Sequence, residues 1–323
     1  MPRSHELGHH SVVPLTESRA SPQRGGLPET RREKRGWPFT EAFREHAHWL
    51  GQSRTFPRIS IVTPSYNQAR FLEQTLQSVL RQDYPNLEYV VMDGGSSDGS
   101  LEIIRNYSPW LNHWTSAPDQ GQSDAINQGF ALSSGDILGW VNSDDFLAPA
   151  TLFKVADAFA AASEVGAVVG IGHKIDPLGR PFYSPLPNTI NSQSLLGWCD
   201  GNNFMQPACF FSRTAWKAAG PLRTDLDYCM DLALWFRMAT EFEFKILPET
   251  FAFINTHGEA KTIQRRREMF AETALLIATQ SGGWQHAKRL LFRTLQQSHR
   301  PQRDFPRRAW SKLRTLLQSK GAT

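Results

Sequence analysis

The chain has 323 residues, of which 40% are hydrophobic and 20% are charged, a composition typical of a soluble globular protein. No stretch reaches the roughly 18 apolar residues that cross a bilayer, and the first residues lack the apolar core of a secretory signal, so we expect a cytoplasmic protein. The net charge of +4 combines basic ends (1–58 and 284–323) with an acidic middle (59–283), which argues against a nucleic-acid-binding core.

Residues 1–56 mix Pro, Gly, Ser and Arg without periodicity, which predicts disorder with a short helix over 39–50. Strand and helix patterns then alternate along the chain. The predicted strands are 58–65, 87–93, 113–118, 136–142 and 166–172, and the predicted helices are 71–82, 100–107, 123–133 and 150–162. This alternation is typical of an α/β fold, with a mostly parallel sheet covered by helices on both faces.

Polar clusters follow three of the predicted strands. They are TPSYN at 63–67, DGGSSDGS at 93–100 and NSDD at 142–145. In open α/β sheets, ligands bind outside the carboxyl ends of the strands. We therefore expect the three clusters to meet on one rim of the sheet.

Two adjacent carboxylates, Asp144 and Asp145, follow the apolar run DILGWV. Capping of the next helix would use one carboxylate, and two neighbouring acids repel each other. A divalent cation would relieve that repulsion, because Mg²⁺ and Mn²⁺ take oxygen ligands and often share them with substrate phosphates. The pair therefore predicts a metal site, with capping as the local alternative.

Other acids in these clusters have an ordinary structural interpretation as well. Asp98 is placed to cap the helix that follows it. Asp124 lies in the first turn of a predicted helix, where an acid interacts favourably with the helix dipole. A helix start aimed at the strand rim would also suit phosphate oxygens, so both interpretations of Asp124 stay open.

Taken in order, the segment from ISIVTPSYN to DGGSSDGS, then DQGQSDAINQGF, then LGWVNSDD resembles the family 2 inverting glycosyltransferases of the GT-A fold. The likeness covers residues 57–150 and continues more loosely to 260. It implies a nucleotide-sugar half over 57–150 and an acceptor half over 151–260. It also implies transfer from a nucleotide-diphosphate sugar, foremost a UDP-sugar, to a saccharide or lipid-linked acceptor in polysaccharide or glycolipid synthesis, with Mn²⁺ or Mg²⁺ as cofactor.

The resemblance assigns roles position by position. It implies that the donor-side residues are Pro64, Tyr66, Asn67, Asp93, Asp119, Asp124 and Asp144. Asp145 becomes the metal ligand, with His257 completing the metal site or facing the diphosphate. Many members of the family have a second acid after Asp93, and here Gly94 stands in its place.

In the second half, LDYCMDLALWFRM at 226–238 resembles the family's element that supplies the catalytic base, and Asp231 aligns with that base. Met230 stands where the family often has Glu, so a supporting acid must come from elsewhere. A helix-start role is the local alternative for Asp231. The candidate acceptor contacts are Trp198, Asn203, Gln206 and Trp235, for which core packing is the alternative.

The last segment, 261–323, is predicted to be a basic amphipathic helical tail. Trp284, Ala287, Leu291 and Leu295 fall on one helical face, and a similar pattern recurs after residue 306. Such a helix can lie on an anionic membrane surface, which would make the protein peripheral, or it can pack on the acidic body.

Two other functions remain to be separated from sugar transfer. An inactive nucleotide-sugar-binding scaffold would share the fold and lack turnover. A sugar-nucleotide pyrophosphorylase would need a Gly-rich, basic loop after the first strand, where TPSYNQARF offers only Arg70.

Overall fold

The computed structural model describes residues 15–18, 26–28, 37–38, 55–162 and 164–296. Its strands are β1 (Leu15–Ser18), β2 (Ile59–Ser65), β3 (Leu87–Asp93), β4 (His113–Ser116), β5 (Ile137–Trp140), β6 (Asp145–Leu147), β7 (Ala167–Ile175), β8 (Pro181–Tyr183), β9 (Cys209–Ser212) and β10 (Phe244–Asn255). The bounds of β3 are those predicted, and β2, β4, β5 and β7 agree with their predictions to within a few residues.

Nine α-helices lie within the described residues. They are α1 (Ala69–Leu80), α2 (Ser100–Tyr107), α3 (Gln122–Leu132), α4 (Thr151–Ala161), α5 (Arg213–Ala219), α6 (Met230–Met238), α7 (Lys261–Gln264), α8 (Arg266–Ala278) and α9 (Trp284–Gln296). Short 3₁₀ turns cover Ser108–Trp110, Ser194–Asp200 and Gln206–Ala208. The four helices predicted from periodicity correspond to α1 to α4.

One mixed sheet joins the strands in the order β1-β4-β3-β2-β5-β9-β7-β10-β6, and β8 pairs with β7. The pairs β4–β3, β3–β2 and β2–β5 are all parallel, so the first half of the chain forms the parallel part of the sheet. In the second half β7 and β10 are parallel, while β9 and β6 join antiparallel. The carboxyl ends of β3, β2 and β5 therefore open on the same rim.

Alternation along the buried strands divides the core into two layers. In β2, Ile61 belongs to the cluster under α1, α2 and α4, and the next residue, Val62, belongs to the cluster under α3, α6, α8 and α9. Val91 and Val90 of β3 divide in the same way. Because successive strand side chains point to opposite faces, a continuously apolar strand requires helices on both sides. The prediction of a two-faced α/β sheet is confirmed.

The amino-terminal segment differs from the predicted disorder at the residues that the structure describes. Leu15–Ser18 forms edge strand β1, paired antiparallel with β4. The indole Nε1 of Trp37 donates to the backbone oxygen of Leu147 at 2.8 Å. An unpaired sheet edge offers a row of free N–H and C=O groups, so an extended segment can pair with it without a recognisable sequence period. The helix predicted at 39–50 lies outside the described residues.

The folded body also extends beyond the predicted boundary at residue 260. Helices α8 and α9 bury Ala274, Ile277, Ala287 and Leu290 in the core cluster, so the described part of the tail packs on the body. Of the predicted face of α9, Ala287 and Leu291 pack on the body, whereas Trp284 is 48% exposed. The residues after 296, with the second amphipathic pattern, lie outside the described residues. Within the described part of the chain, no helix has the length and apolar character needed to span a membrane.

Candidate active site

The loops after β2 and β3 lie against each other, as predicted. Asn67 joins them, since its side-chain Oδ1 accepts from the backbone N–H of Ser97 at 2.9 Å and its backbone N–H donates to Ser96 Oγ at 2.8 Å. Asn67 has a φ of 53°, a left-handed conformation that asparagine tolerates better than most residues. Pro64 is buried inside β2, whereas Tyr66 is 64% exposed and free to contact a ligand.

Asp93 is buried at the end of β3 and organises the turn that follows. Its carboxylate accepts from the backbone N–H of Ser96 at 2.9 Å, from the Ser96 hydroxyl, and from Ser116 Oγ at 2.6 Å. These bonds hold the Gly94–Gly95 turn against the end of β4. Asp93 therefore has a structural role in addition to any contact with a donor.

The position of Asp119 gives a reason for glycine at position 94. A Cβ placed on Gly94 would lie 2.9 Å from Asp119 Oδ2. The space in which a side chain at 94 would begin is thus occupied by a carboxylate that comes from the loop after β4. A carboxylate from a residue 25 positions later therefore lies next to the backbone of Gly94.

This position of Asp119 makes the ionised form of its carboxyl group less favourable. Burial raises the pKa of Asp119 above its usual value, and the nearby charges of Asp124 and Asp93 raise it further, while the N–H of Gly121 at 2.8 Å lowers it. A ligand that donates hydrogen bonds to this carboxylate would relieve the cost.

A cavity of about 370 Å³ opens beside Asp93 and Asp119, and its volume is within the size range of small-molecule sites. Asp93, Asp119, Thr115 and Gln128 contribute polar atoms to its wall, and Thr16 of β1 closes one side. The amino-terminal strand, which the sequence pattern did not predict, thus forms part of this pocket.

We predict that Gly94→Asp destabilises the protein by about 1–3 kcal/mol, because it overpacks a filled site and adds a second negative charge. Gly94→Asn is the matched control, since it has nearly the same shape without the charge. Thermal unfolding of both variants, and of each combined with Asp119→Gly, measures the effect. Recovery of stability in the Gly94→Asp/Asp119→Gly pair would confirm that the two carboxylates compete for one place, and equal unfolding of all variants would refute it.

Asp98 and Asp124 both make the contacts at helix starts that their local interpretations predicted. Asp98 accepts from Ala69 N at 2.8 Å and from Ser100 N at 3.1 Å, so it serves the starts of both α1 and α2. These hydrogen bonds lower the pKa of Asp98 in spite of its partial burial, which acts in the opposite direction. Asp124 accepts from Gln120 N at 3.0 Å and from Gln128 Nε2 at 2.8 Å, which holds the first turn of α3.

The adjacent acids Asp144, in the loop after β5, and Asp145, the first residue of β6, have different surroundings. Asp144 is half-buried, and its Oδ2 lies 3.1 Å from Nε2 of His257. Asp145 is only 4% exposed, and its Oδ2 accepts from Asn142 Nδ2 at 3.2 Å. The structure thus brings His257 to the acid pair, as the resemblance implied, with Asp144 as its direct partner.

Burial is the main reason that the pKa of Asp145 is raised well above its usual range, and the neighbouring charge of Asp144 raises it further. Asn142 and Lys174 partly offset this effect. Such a carboxylate is stabilised by an added cation. His257 is compatible with the same ligand, because its Nε2 faces Asp144 at 3.1 Å and a neutral imidazole nitrogen can bind a metal ion.

These residues fit a divalent cation that also takes ligands from a substrate. Among the described residues, no group of three or more His, Cys, Asp or Glu side chains is arranged to hold a metal alone. Mg²⁺ in phosphate-transfer sites is usually bound by one or two carboxylates together with substrate phosphates. Asp145 and Asp144 supply the carboxylates of that pattern, and His257 lies against Asp144.

Two residues at this rim were given no role by sequence reasoning, although Asn142 belongs to the predicted cluster NSDD. The side-chain amide of Asn142 donates to Asp145 and, at 3.4 Å, to Gln206 Oε1, while its own oxygen accepts from Gln122 at 2.7 Å. Lys174 on β7 is half-buried; burial lowers its pKa, while attraction to Asp145 raises it. The signal for both was present, since each is a polar residue at the carboxyl end of an apolar run.

Asp231 lies in the first turn of α6, half-buried, where its Oδ1 accepts from the backbone N–H of Leu232 at 2.7 Å. Burial raises the pKa of Asp231 to about 6, the backbone hydrogen bonds oppose this, and the charge of Glu272 adds to it. A carboxylate with a pKa near the working pH suits general base catalysis. Met230, beside it, is buried in the core.

The candidate acceptor residues separate into two groups. Gln206 lies on the rim, donating from Nε2 to the backbone oxygen of Trp140 at 2.9 Å. Asn203 is tied to Trp198 O at 2.8 Å and to the hydroxyl of Tyr183 at 3.0 Å. Both remain candidates, as does the half-buried Trp198, which packs edge-on against Phe204.

The assignment of Trp235 as an acceptor contact is wrong. It is 0% exposed and stacks on Trp140 with ring centroids 5.7 Å apart. It lies one turn after Asp231, on the side of α6 that faces the sheet. An aromatic residue there fills the core, and no solvent-side ligand can contact its ring.

Comparisons with known proteins agree with this architecture. The family model described as Glycosyl transferase family 2 matches residues 60–215. An uncharacterized glycosyltransferase of Mycobacterium tuberculosis is 36% identical over 118 residues, which are 36% of this chain and 45% of the relative. The chain therefore spans less than half the length of that relative.

Two solved structures share the fold at low sequence identity. TarS 1–349 of S. aureus in complex with UDP-GlcNAc has a TM-score of 0.54 and 17% identity, covering 74% of this chain and 71% of that one. The mannosyltransferase PcManGT of Pyrobaculum calidifontis in complex with GDP-Man and Mn²⁺ has a TM-score of 0.53 and 16% identity, covering 85% and 86%. The fold is that of these GT-A proteins, and residues 60–215 form a glycosyl transferase family 2 domain.

Proposed function

We propose that this protein is a metal-dependent inverting glycosyltransferase. It moves a sugar from a nucleotide-diphosphate sugar to a hydroxyl group of a saccharide or lipid-linked acceptor, in the synthesis of a polysaccharide or glycolipid. The observation that carries the proposal is the half-buried Asp231, whose pKa is raised to about 6, in the same fold as the acid pair of the strand rim.

The acceptor hydroxyl must lose a proton as its oxygen attacks the anomeric carbon. Asp231 accepts that proton at its free carboxylate oxygen, while Leu232 N–H holds the other oxygen in place. Half-burial keeps the carboxylate basic enough to act near neutral pH. Direct displacement from the side opposite the leaving diphosphate inverts the anomeric configuration, through an oxocarbenium-like transition state of the kind that glycosidases stabilise.

The departing nucleotide diphosphate develops negative charge on the donor side. Asp145 and Asp144, with His257, would hold a divalent cation there, Mn²⁺ or Mg²⁺, which neutralises that charge when bound. Asn142 orients Asp145, and Asp144 is oriented by His257. Asp124 has an indirect role, because its hydrogen bond with the backbone N–H of Gln120 holds the start of α3 next to this rim.

The cavity beside Asp93 and Asp119 supports a nucleobase as its occupant, with Tyr66 on the neighbouring loop and Pro64 near the end of β2. Carboxylates there accept hydrogen bonds from the imide N–H of uracil or from the N–H groups of guanine. The structural neighbours bind UDP-GlcNAc and GDP-Man respectively, and we propose a UDP-sugar as the first donor to try.

An anionic membrane surface is the second proposed partner. The outward side of α9 carries Trp284, Lys288 and Phe292 at successive turns, with Lys288 Nζ 5.3 Å from the Trp284 ring centroid. Basic and aromatic residues in that arrangement suit a lipid headgroup region. Sedimentation of the protein with phosphatidylserine vesicles tests this part of the proposal.

The experiment that tests the function is donor binding followed by product analysis. Thermal unfolding is measured with a panel of nucleotide sugars, each with and without Mn²⁺, because a ligand of the folded state raises the midpoint by mass action. The stabilising donor is then incubated with candidate acceptors, and NMR gives the anomeric configuration of the product. We expect an α-linked donor to give a β-linked product, and retention of configuration would refute the inverting mechanism.

The same experiment separates the other two functions. A scaffold would bind the donor without turnover, and a pyrophosphorylase would form the nucleotide sugar from a triphosphate. The pyrophosphorylase is disfavoured because the loop after β2 brings no basic cluster, Arg70 lying 5.1 Å from the ring centroid of Phe71.

A further inference from the structure

The segment that leads into α6 lacks the acid that the family usually places before the base. Met230 occupies that position and is buried in the apolar core, where it cannot bear a charge or accept a hydrogen bond from the loop. Asp227 and Tyr228 precede it on the surface of the protein. The segment therefore needs another group to fix its backbone.

Glu272, on α8, approaches this segment from more than 40 residues away in sequence. Its Oε1 accepts from the backbone N–H of Tyr228 at 2.7 Å and of Cys229 at 3.0 Å, and its Oε2 accepts from the N–H of Asp227 at 2.9 Å. Successive N–H groups turned toward one point form a binding site for an anion. Here the anion is a side chain of the protein itself.

The bonded segment connects directly to the turn that carries Asp231. Cys229 is the N-cap residue just before α6, and its carbonyl accepts the first bond of the helix, from Ala233 N at 3.0 Å. Fixing Cys229 therefore fixes the direction of the first turn. A negative charge at this end of the helix also interacts favourably with the helix dipole.

Helix α8 is itself anchored, so its carboxylate can act as a fixed point. Ala271 and Ala274 on either side of Glu272 are buried, and Thr273 Oγ1 donates back to Met269 O at 2.8 Å. Among the described residues, the titratable groups that interact with Asp231 include Glu272 from α8, Cys229 just before α6 and Cys209 from β9. Glu272 is the acid among them.

We propose that Glu272 is the positioning residue of the reaction: through three backbone hydrogen bonds it holds Asp227–Cys229 and thereby sets the place and the charge environment of Asp231. This inference rests on the proposed role of Asp231 as the base. It assigns to α8 the support that a residue at position 230 would otherwise give. The carboxyl-terminal helices are then part of the catalytic apparatus as well as of the core.

The test compares Glu272→Ala and Glu272→Gln with Glu241→Gln, an exposed acid beyond the other end of α6. We expect Glu272→Ala to lower kcat by about 10–100-fold with little change in the donor KM, because a misplaced base slows chemistry more than binding. Glu272→Gln can still accept from two of the three N–H groups, so kcat should recover in part. The control should keep wild-type kinetics.

The pH profile gives a result that a purely structural role would not. The charge of Glu272 raises the pKa of Asp231, so its removal in Glu272→Gln should move the acidic limb of the kcat profile to lower pH. In the protein without ligands, hydrogen exchange at the amides of residues 227–229 should accelerate at least 10-fold in Glu272→Ala and remain normal in Glu241→Gln. Both readouts apply only to variants that keep a cooperative unfolding transition.

Wild-type kcat, pH profile and amide exchange in folded Glu272 variants would overturn the inference. If Asp231→Asn is inactive while the Glu272 variants behave as wild type, the inference alone fails. If Asp231→Asn retains full turnover, the proposed base is wrong, and the exchange experiment still decides whether Glu272 holds the segment.

Discussion

Asp231→Asn should lower kcat by about 10²–10⁴-fold with a nearly unchanged donor KM, because the amide keeps the shape of the side chain and cannot accept the acceptor's proton. In the wild-type protein the rate should rise between pH 5 and 7 with a midpoint near the Asp231 pKa of about 6, since only the ionised carboxylate is a base. The measurement is the initial rate of nucleotide diphosphate release against pH.

The same substitution should stabilise the folded protein. The pKa of Asp231 is higher in the folded state than in the unfolded chain, so its contribution to stability is complete at low pH and is lost as the pH rises through about 6. Above that pH the ionised group costs about 1–3 kcal/mol at most, reduced by its partial exposure, and asparagine removes this cost. Unfolding of Asp231→Asn at pH 8 and at pH 4 measures the difference.

Asp231→Glu is the informative companion variant, because it keeps the charge and displaces the carboxylate by one methylene group. It should retain more activity than asparagine and lose the stability gain. Full activity of Asp231→Asn at pH 7 would contradict the assignment of the base and would make the helix-start interpretation sufficient.

Asp145→Asn should abolish the stabilisation that a nucleotide sugar and Mn²⁺ produce together, and with it turnover. At the same time the protein without ligands should unfold at a higher temperature. Both effects have one cause: the buried Asp145 carboxylate, next to Asp144, has its pKa raised well above the usual range, and its charged form is costly until a cation arrives. Each kcal/mol gained moves the midpoint by about 2–4 °C in a domain of this size.

The matched control is Asp136→Asn, at the opposite end of β5, where an exposed carboxylate accepts from Arg58 N at 3.2 Å. It should leave the metal response unchanged. If Asp145→Asn binds donor and Mn²⁺ as the wild type does, the cation is held elsewhere. If no donor stabilises the wild type at any metal concentration, the inactive scaffold becomes the better interpretation.

Both Asp231→Asn and Asp145→Asn are expected to lower activity and to raise the stability of the folded protein without ligands. The ionised carboxylates of Asp145 at the strand rim and of Asp231 on α6 are each less stable than an amide would be. The folded state accommodates them because two packed layers of apolar side chains stabilise the sheet from both faces. Unfavourable buried charges at the site, balanced by a well-packed core, are expected for a binding site on a rigid scaffold.

The sequence by itself determined the elements and the rim. Strands β2 to β5 and helices α1 to α4 follow from local hydrophobic period, and polar residues at the strand ends mark where the site lies, because both signals depend only on neighbours along the chain. The two-layer core followed as well, since a strand that is apolar throughout must be covered twice. The likeness to the family came from motifs of the same local kind.

Only the tertiary structure decided which side chains meet. His257 reaches Asp144 across 113 positions, Asp119 fills the space over Gly94, and Glu272 approaches the start of α6 from a helix predicted to belong to a separate tail. Trp235 reads in sequence as an aromatic residue near a base, and its burial depends on which side of α6 the sheet covers. Periodicity defines the faces of a helix, but only three-dimensional packing determines what each face contacts.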